Sequence, residues 1–233
     1  MHQVSTNLVG VLYLYLGLAF TLMVTLFHLH RLQEKMAEYP AALLYFALFF
    51  FFFAAIPGLI IILSGPGWPT VFSGLGLTTG NSRRGLVILA AGCPLALLAA
   101  WIGSRQPQLA GFYPYAKSIC NRPGRFIFFE ACYLIGYYAA WEFLYRGLLF
   151  FPLLAATNLP TALALQTIIS TLHHLGHPPS EIAAALTGGI AFGLIAYGTG
   201  SFIYTFVLHA LIGMGNDFFI CRRRRLARSA PQG

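Results

Sequence analysis

An acidic and a basic residue stand one helical turn apart in the middle of a long apolar stretch of this sequence. Glu142 and Arg146 both fall within residues 126–156, where the surrounding residues are typical of a membrane span. A charged side chain at the centre of a lipid-embedded helix costs roughly 2.5–3.5 kcal/mol, so such residues mark functional sites by default. Positions i and i+4 share a helix face, and each charge can offset part of the other's burial cost. The alternative is an ion pair that only locks this helix to its neighbours.

Histidines in two later segments could complete a reactive group with Glu142. His174 ends a short apolar segment next to His173, and His209 lies in the middle of the last apolar run, seven residues before Asn216. Seven residues correspond to a rotation of only about 20°, so His209 and Asn216 can share one helix face. A carboxylate can take a proton from water, while imidazoles orient that water or stabilise the developing oxyanion.

Other uses of these residues stay open at this point. Two histidines and one glutamate would also suit zinc, but the HExxH pattern of many zinc proteases is absent from the sequence. We therefore predict no metal and no cofactor. Glu130 precedes Glu142 by twelve residues, which turns it about 120° round the helix. It is expected on a different face, where a structural and a catalytic role are equally open.

The composition decides the class of protein. Of 233 residues, 58% are hydrophobic and 9% are charged, whereas soluble domains carry about 25% charged residues. The polar surface is too small for a water-exposed globule, so we predict an integral membrane protein in contact with a lipid bilayer. The net charge of +8 lies mostly in the C-terminal arginines and a few loops, which membrane topology explains better than nucleic acid does. The four cysteines show no CxxC spacing, so we infer no disulfide.

The apolar runs predict an all-α, multi-pass transmembrane bundle, because they far exceed the roughly 10-residue strands of a membrane barrel. Seven spans are expected, with eight as the alternative: residues 8–29, 41–64, 86–103, 126–156, 160–174, 181–197 and 201–220. They form one domain, residues 1–221, followed by a basic tail, residues 222–233, that is expected to be disordered. The first run is long enough to span and lacks a preceding basic region, so we expect no cleavable signal peptide.

The loops also predict an orientation. Lys and Arg concentrate in alternate loops and in the tail, which places the N-terminus outside and the C-terminus in the cytoplasm. Tyr113 and Tyr115 lie in one of the basic loops and suit the headgroup region of the bilayer.

Three short motifs, in chain order, resemble those of the CAAX-protease and bacteriocin-processing family of intramembrane proteases. Residues 141–147 are similar to its first motif, residues 174–181 to its second and residues 199–209 to its third. The resemblance covers about residues 126–217. It implies a glutamic-type hydrolysis of a peptide bond, with a membrane-anchored or lipidated protein or peptide as substrate. We expect the protein in a bacterial inner membrane.

The resemblance also implies roles for individual residues. By position, Glu142 matches the second acid of the first motif and Arg146 matches its Arg, while His174 and His209 match the histidines of the other two motifs. Our hypothesis makes Glu142 the general base, with His174 sharing the water and His209 forming the oxyanion site. The residues expected to support this site are Arg146, Asn216, Glu130 and His173.

Three positions depart from the family's motifs. Trp141 stands where the first motif has its other acid, which is the one usually assigned as base. Neither His173 nor His174 has the expected Phe four residues before it, so which of the two acts stays open. Gly213 stands where the third motif has Asn or Asp, and Asn216 could substitute from one turn further along.

Because of these departures from the family motifs, other functions stay open. The runner-up is a catalytically inactive member of the family that serves as a membrane scaffold or a bacteriocin-immunity protein. A third possibility is a small transporter or proton-coupled channel, which would also use buried charges but for which the sequence lacks inverted halves. The oligomeric state is left open.

Overall fold

The computed structural model describes residues 6–229, and this part of the chain folds into ten helices without a β-strand. The prediction of an all-α, multi-pass bundle is confirmed. We number the helices α1 Thr6–Thr25, α2 Leu29–Lys35, α3 Glu38–Leu63, α4 Trp68–Gly74, α5 Ser82–Ser104, α6 Pro107–Phe112, α7 Pro123–Ala156, α8 Leu159–Leu172, α9 Pro179–Thr199 and α10 Ile203–Ser229.

Six of these helices are long and apolar enough to cross a membrane: α1, α3, α5, α7, α9 and α10. They correspond to six of the seven predicted spans. The remaining one, residues 160–174, is the helix α8, whose 14 residues rise only about 21 Å. That is shorter than the roughly 30 Å of a hydrocarbon core. Helix α8, which His173 and His174 follow, is therefore too short to cross a membrane by itself.

Helix α7 is the central helix of the bundle. Over its most apolar window 67% of the residues are buried, against 22% for α1 and 17% for α5. Protein rather than lipid therefore surrounds most of α7, which makes charged residues on it tolerable. The helix widens into π-helical turns over Leu134–Ala139 and Phe143–Phe150. Such turns are rare and occur frequently at functional sites.

Small residues bring the neighbouring helices close to one another. Gly92 of α5 faces Leu208 of α10, and a Cβ at Gly92 would lie 2.8 Å from the leucine side chain. Gly189 and Gly193 of α9 face Thr167 and the Gln166 amide of α8 in the same way. Small residues at helix interfaces are the usual means of close packing in membranes. The close packing of α5 with α10 and of α8 with α9 therefore holds these four helices in place around α7.

The structure corrects two expectations on one face of the bundle. A disulfide joins Cys120 to Cys221, which are 101 residues apart, so the inference of no disulfide was wrong. The predicted disorder after residue 221 is also wrong as far as Ser229, because α10 continues to that residue. Arg223 and Arg224 anchor this extension by donating to the carbonyl oxygens at the ends of α5 and α6, at 2.7 and 2.8 Å.

Candidate active site

The carboxylate of Glu142 is enclosed by hydrogen-bond donors from two helices. Its Oε1 accepts from Arg146 Nη1 at 3.1 Å and from His209 Nδ1 at 2.7 Å, and its Oε2 accepts from Thr205 Oγ1 at 2.7 Å. The residue is 0% exposed. A buried charge is stable only when it is paired and hydrogen-bonded, and here both oxygens have partners. The predicted ion pair with Arg146 and the predicted proximity to His209 are both present.

The contact with Glu142 orients the imidazole of His209. Nδ1 must carry the proton that is donated to the carboxylate, which leaves Nε2 as the free ring nitrogen. The side chain is 19% exposed and lines a cavity, with the Tyr138 ring centroid 5.0 Å away and that of Trp141 at 5.9 Å. This imidazole can therefore accept or donate one hydrogen bond inside the cavity.

The two adjacent histidines after α8 have different surroundings. His174 lines the same cavity as His209, and its Nδ1 lies 2.8 Å from the Ser170 carbonyl oxygen. A carbonyl oxygen can only accept, so Nδ1 is the protonated nitrogen and Nε2 is free. His173 instead forms a 2.6 Å hydrogen bond with Tyr145 and packs edge-on against Phe20 at 4.9 Å. Of this pair, the structure brings His174 to the cavity.

The cavity has a volume of about 440 Å³ and lies between α5, α7, α9 and α10. Its polar wall is formed by Tyr113, Tyr138, Arg146, Ser170, His174, Ser180, Glu181, His209 and Asn216. The rest of the wall is largely apolar and comes from residues such as Ala99, Ile102, Ala184, Phe192 and Ile212. Glu142 lies behind this wall, next to Arg146 and His209. An apolar cavity with few convergent polar groups is the usual form of a small-molecule or peptide site.

A second polar group, which the sequence reasoning missed, stands at the start of α9. Glu181 Oε1 accepts from Tyr113 Oη at 2.6 Å and lies 3.0 Å from His177 Nδ1. Its Oε2 is buried and has no hydrogen-bond partner within residues 6–229. Tyr113 is 8% exposed and is therefore packed against other parts of the protein. No spacing links these residues, because Tyr113 and Glu181 are 68 positions apart.

The position of the Tyr138 side chain accounts for a glycine at residue 213. A Cβ added to Gly213 would collide with Tyr138 Oη. The tyrosine hydroxyl thus fills the space next to His209 that an Asn or Asp at residue 213 would need. Asn216, the predicted substitute, is 8% exposed and lines the cavity, and its Oδ1 has no partner in the described part of the chain.

Glu130 lies outside this group. It is 4% exposed on α7, and another buried acid outside the cavity, Asp217 of α10, is 0% exposed. Neither residue lines the cavity described above. The separate helix face that the sequence predicted for Glu130 agrees with this placement. Within residues 6–229, no three or more His, Cys, Asp or Glu side chains come together as a group that could hold a metal ion.

Comparison with known families identifies the central segment of the chain. Residues 124–214 match the family described as type II CAAX prenyl endopeptidase Rce1-like. This segment extends from the start of α7 to α10 and includes Glu142, His174 and His209. Comparisons with curated proteins and with solved structures found no match. Residues 124–214 of this integral membrane protein are thus similar to the Rce1-like family, which agrees with the family that the motifs predict.

Proposed function

We propose that this protein is an intramembrane endopeptidase that hydrolyses a peptide bond in a membrane-anchored or lipidated protein. One observation carries the proposal: the buried Glu142 carboxylate holds His209 at 2.7 Å, and the free face of that imidazole shares a cavity with His174. The Rce1-like family implies a protease of the CAAX type. The name of that family refers to prenylated substrates, and for this chain we propose only the broader class of lipidated or membrane-anchored proteins.

In this proposal Glu142 acts through His209. A carboxylate on Nδ1 stabilises the imidazolium that forms when Nε2 takes up a proton, as in other carboxylate–histidine pairs. Nε2–H can then donate to the oxyanion of the tetrahedral intermediate. Tyr138 Oη, which adjoins Gly213 beside His209, supplies a second donor. The sequence-based hypothesis made Glu142 itself the general base, but its complete set of hydrogen bonds favours a positioning role.

His174 is proposed to hold the attacking water. The Ser170 carbonyl fixes its tautomer, so Nε2 can accept a hydrogen bond from the attacking water and orient it in the cavity. Arg146 lines the cavity beside these groups and adds a fixed positive charge, which favours the negative charge that develops during attack. The set therefore provides, within one cavity, groups that can orient a water molecule and groups that can stabilise an oxyanion.

The apolar part of the cavity supports the substrate class. Side chains from α5 and α9, among them Ile102 and Ala184, line the same cavity as the imidazoles. Such a wall accommodates a hydrocarbon chain or an apolar peptide segment, because burial of apolar surface stabilises binding by roughly 25 cal/mol per Å². Charged or highly polar peptides would lose their hydration there without replacement.

The runner-up is a non-catalytic scaffold, and Trp141 favours it. The indole is 1% exposed and packs 4.9 Å from the rings of both His173 and His174. It therefore fills space beside the imidazoles where the family's first motif has an acid. A scaffold that uses this packed surface would retain its effect when the chemistry of the cavity is removed.

A cleavage experiment separates the two functions. The purified protein in proteoliposomes is incubated with a farnesylated peptide that ends in Cys-aliphatic-aliphatic-X, and products are identified by mass spectrometry. We expect cleavage by the wild type and its loss in His209→Ala, with normal activity in the control His30→Ala, whose side chain is 79% exposed. A chelator should leave the rate unchanged. Absence of cleavage by a folded wild type contradicts the peptidase proposal.

We also propose a bacterial inner membrane with the C-terminus in the cytoplasm. Residues 30–40, residues 104–125 and the C-terminal tail carry eleven Lys and Arg, against two in residues 65–85. The Cys120–Cys221 disulfide lies on the same basic face, although disulfides are typical of oxidising compartments. A reporter protein fused to the C-terminus distinguishes the orientation that the basic residues favour from the one that the disulfide favours. If alkaline phosphatase fused to the C-terminus is active, the C-terminus lies outside the cytoplasm and the proposed orientation is wrong.

A further inference from the structure

Helix α7 presents no carboxylate to the cavity. Trp141 occupies the motif position of the missing acid and lines the cavity with its ring. The neighbouring Glu142 has both oxygens engaged by Arg146, His209 and Thr205 and is 0% exposed. A water molecule beside His174 thus has imidazole nitrogens nearby but no acid from this helix. The carboxylate that takes part in water activation must come from another helix if the cavity uses one.

Glu181 of α9 supplies such a carboxylate. It lines the same cavity as His174 and His209. The His177 ring connects it to His174, since His177 Nδ1 lies 3.0 Å from Glu181 Oε1 and the two imidazole centroids are 5.3 Å apart. Tyr113 Oη donates to the same oxygen at 2.6 Å. One carboxylate oxygen is therefore fixed in place by two partners.

The other oxygen of Glu181 is free. Oε2 is buried, with no hydrogen-bond partner in the described residues, while a buried carboxylate oxygen normally accepts at least one hydrogen bond. A water molecule in the adjoining cavity can satisfy it. Glu181 also lies in the first turn of α9, where the helix dipole favours a negative charge.

We propose that Glu181 is the proton acceptor for the attacking water, held in position by Tyr113 and His177. This inference rests on the proposed peptidase function. The water oxygen forms a bond to the carbonyl carbon while one water proton passes to Glu181 Oε2. The carbonyl oxygen becomes an oxyanion that the imidazolium form of His209, already protonated at Nε2 from water before the attack, stabilises by donating a hydrogen bond. The C–N bond then breaks, and the proton on Glu181 passes to the leaving amine nitrogen, which restores the carboxylate.

His177 also connects this acid with a second cavity. It lines a second cavity of about 670 Å³, on the side of the bundle where His28, Gln33, Glu38 and Lys117 lie. The His177–Glu181 contact therefore stands between the two cavities. The second proton of the attacking water, released when the carboxylic acid product ionises, can leave along this route.

The test compares two substitutions of the same residue in the proteoliposome assay, with the farnesylated peptide as probe. Glu181→Gln keeps an acceptor for Tyr113 but cannot take a proton, and Glu181→Asp keeps a shorter carboxylate. We expect Glu181→Gln to lower kcat by roughly 100-fold with little change in KM, because a general base contributes about 10²–10⁴ to the rate. Glu181→Asp should retain at least about a tenth of the wild-type rate.

The matched control is Glu34→Gln on α2, whose side chain is 62% exposed and which should behave as wild type. Thermal unfolding in detergent checks that the variants remain folded. A kcat for Glu181→Gln close to that of the wild type overturns the inference and leaves the peptidase proposal intact. Equal loss in both substitutions indicates a structural role for Glu181 and also overturns the inference. A wild type that cleaves nothing overturns the peptidase proposal itself.

Discussion

Glu181 lines the cavity while Glu142 lies behind its wall, and the two carboxylates differ in how many of their oxygens accept hydrogen bonds. Both oxygens of Glu142 accept hydrogen bonds from groups on α7 and α10, and the side chain is sealed from the cavity. Glu181 has two partners on one oxygen and none in the described residues on the other. The first arrangement holds a neighbouring histidine in place. The second leaves a carboxylate oxygen available to a ligand.

The difference shows that the acid in the family motif, Glu142, need not be the acid whose oxygen is available for reaction. Glu142 has the motif spacing to Arg146, and the same spacing places the guanidinium where it neutralises the carboxylate. Glu181 has no such cation within one turn on its helix. Substitutions around each carboxylate should therefore differ: those near Glu142 should lower stability most, and those near Glu181 should lower the rate more than the stability.

The largest effect is expected for Arg146→Met. This change leaves the buried Glu142 carboxylate without its cation, and removal of one partner from a buried ion pair costs about 3–5 kcal/mol. We expect reduced accumulation in the membrane and a lower unfolding temperature. The control Arg83→Ala removes an exposed arginine and should change stability by less than about 0.5 kcal/mol. Similar stability of the two variants would contradict the sealed surroundings described for Glu142.

Thr205→Val comes next. It removes the hydroxyl that donates to Glu142 Oε2 at 2.7 Å, and a hydrogen bond to a charged group contributes about 1.5–3 kcal/mol. The control Thr187→Val removes an exposed hydroxyl that bonds only to carbonyls of its own helix. Denaturant or thermal unfolding should separate the two variants. Equal unfolding temperatures would show that Oε2 does not depend on Thr205.

Gly213→Ala tests the packing beside His209. Its Cβ would collide with Tyr138 Oη, and overpacking of this kind costs about 1–3 kcal/mol. The peptidase rate should fall as the tyrosine moves away from the cavity. Gly188→Ala is the matched control, because it also lines the cavity but has no atom within 4 Å of an added Cβ. A neutral Gly213→Ala would contradict the position assigned to Tyr138.

The smallest effect is expected for Tyr113→Phe. The change removes one donor to Glu181 Oε1 and lowers stability by about 1 kcal/mol, the usual contribution of a single hydrogen bond. His177 still holds the carboxylate, so cleavage should fall by less than in Glu181→Gln. Tyr197→Phe, at a side chain that is 51% exposed, serves as control. A loss as complete as that of Glu181→Gln would assign the reaction to Tyr113 rather than to the acid.

The sequence predicts those features that depend on spacing within one segment. Apolar runs identify the spans, and the i, i+4 relation predicts the Glu142–Arg146 pair. The contacts of Glu181 with Tyr113 and of Gly213 with Tyr138 join distant segments. They depend on how helices pack, which no periodicity encodes. The Cys120–Cys221 disulfide escaped prediction for the same reason, since it links a loop to a helix 101 residues later.

The same limit explains the placement of the two adjacent histidines. Their spacing leaves open which one faces the site, because both follow the last turn of α8. The decision comes from Tyr145, which binds His173 at 2.6 Å and draws it into an aromatic cluster away from the cavity. The side chain of His174 instead lines the cavity that His209 and Glu181 also line.

The most direct test of the central claim compares membrane proteins from cells that produce the wild type with those from cells that produce His209→Ala at equal membrane levels. New peptide termini in membrane-anchored proteins are identified by mass spectrometry. The account predicts termini that appear with the wild type and are absent with His209→Ala, because that imidazole is the group through which Glu142 acts on the cavity. The same termini in both samples, or none in either, would contradict hydrolysis by this site.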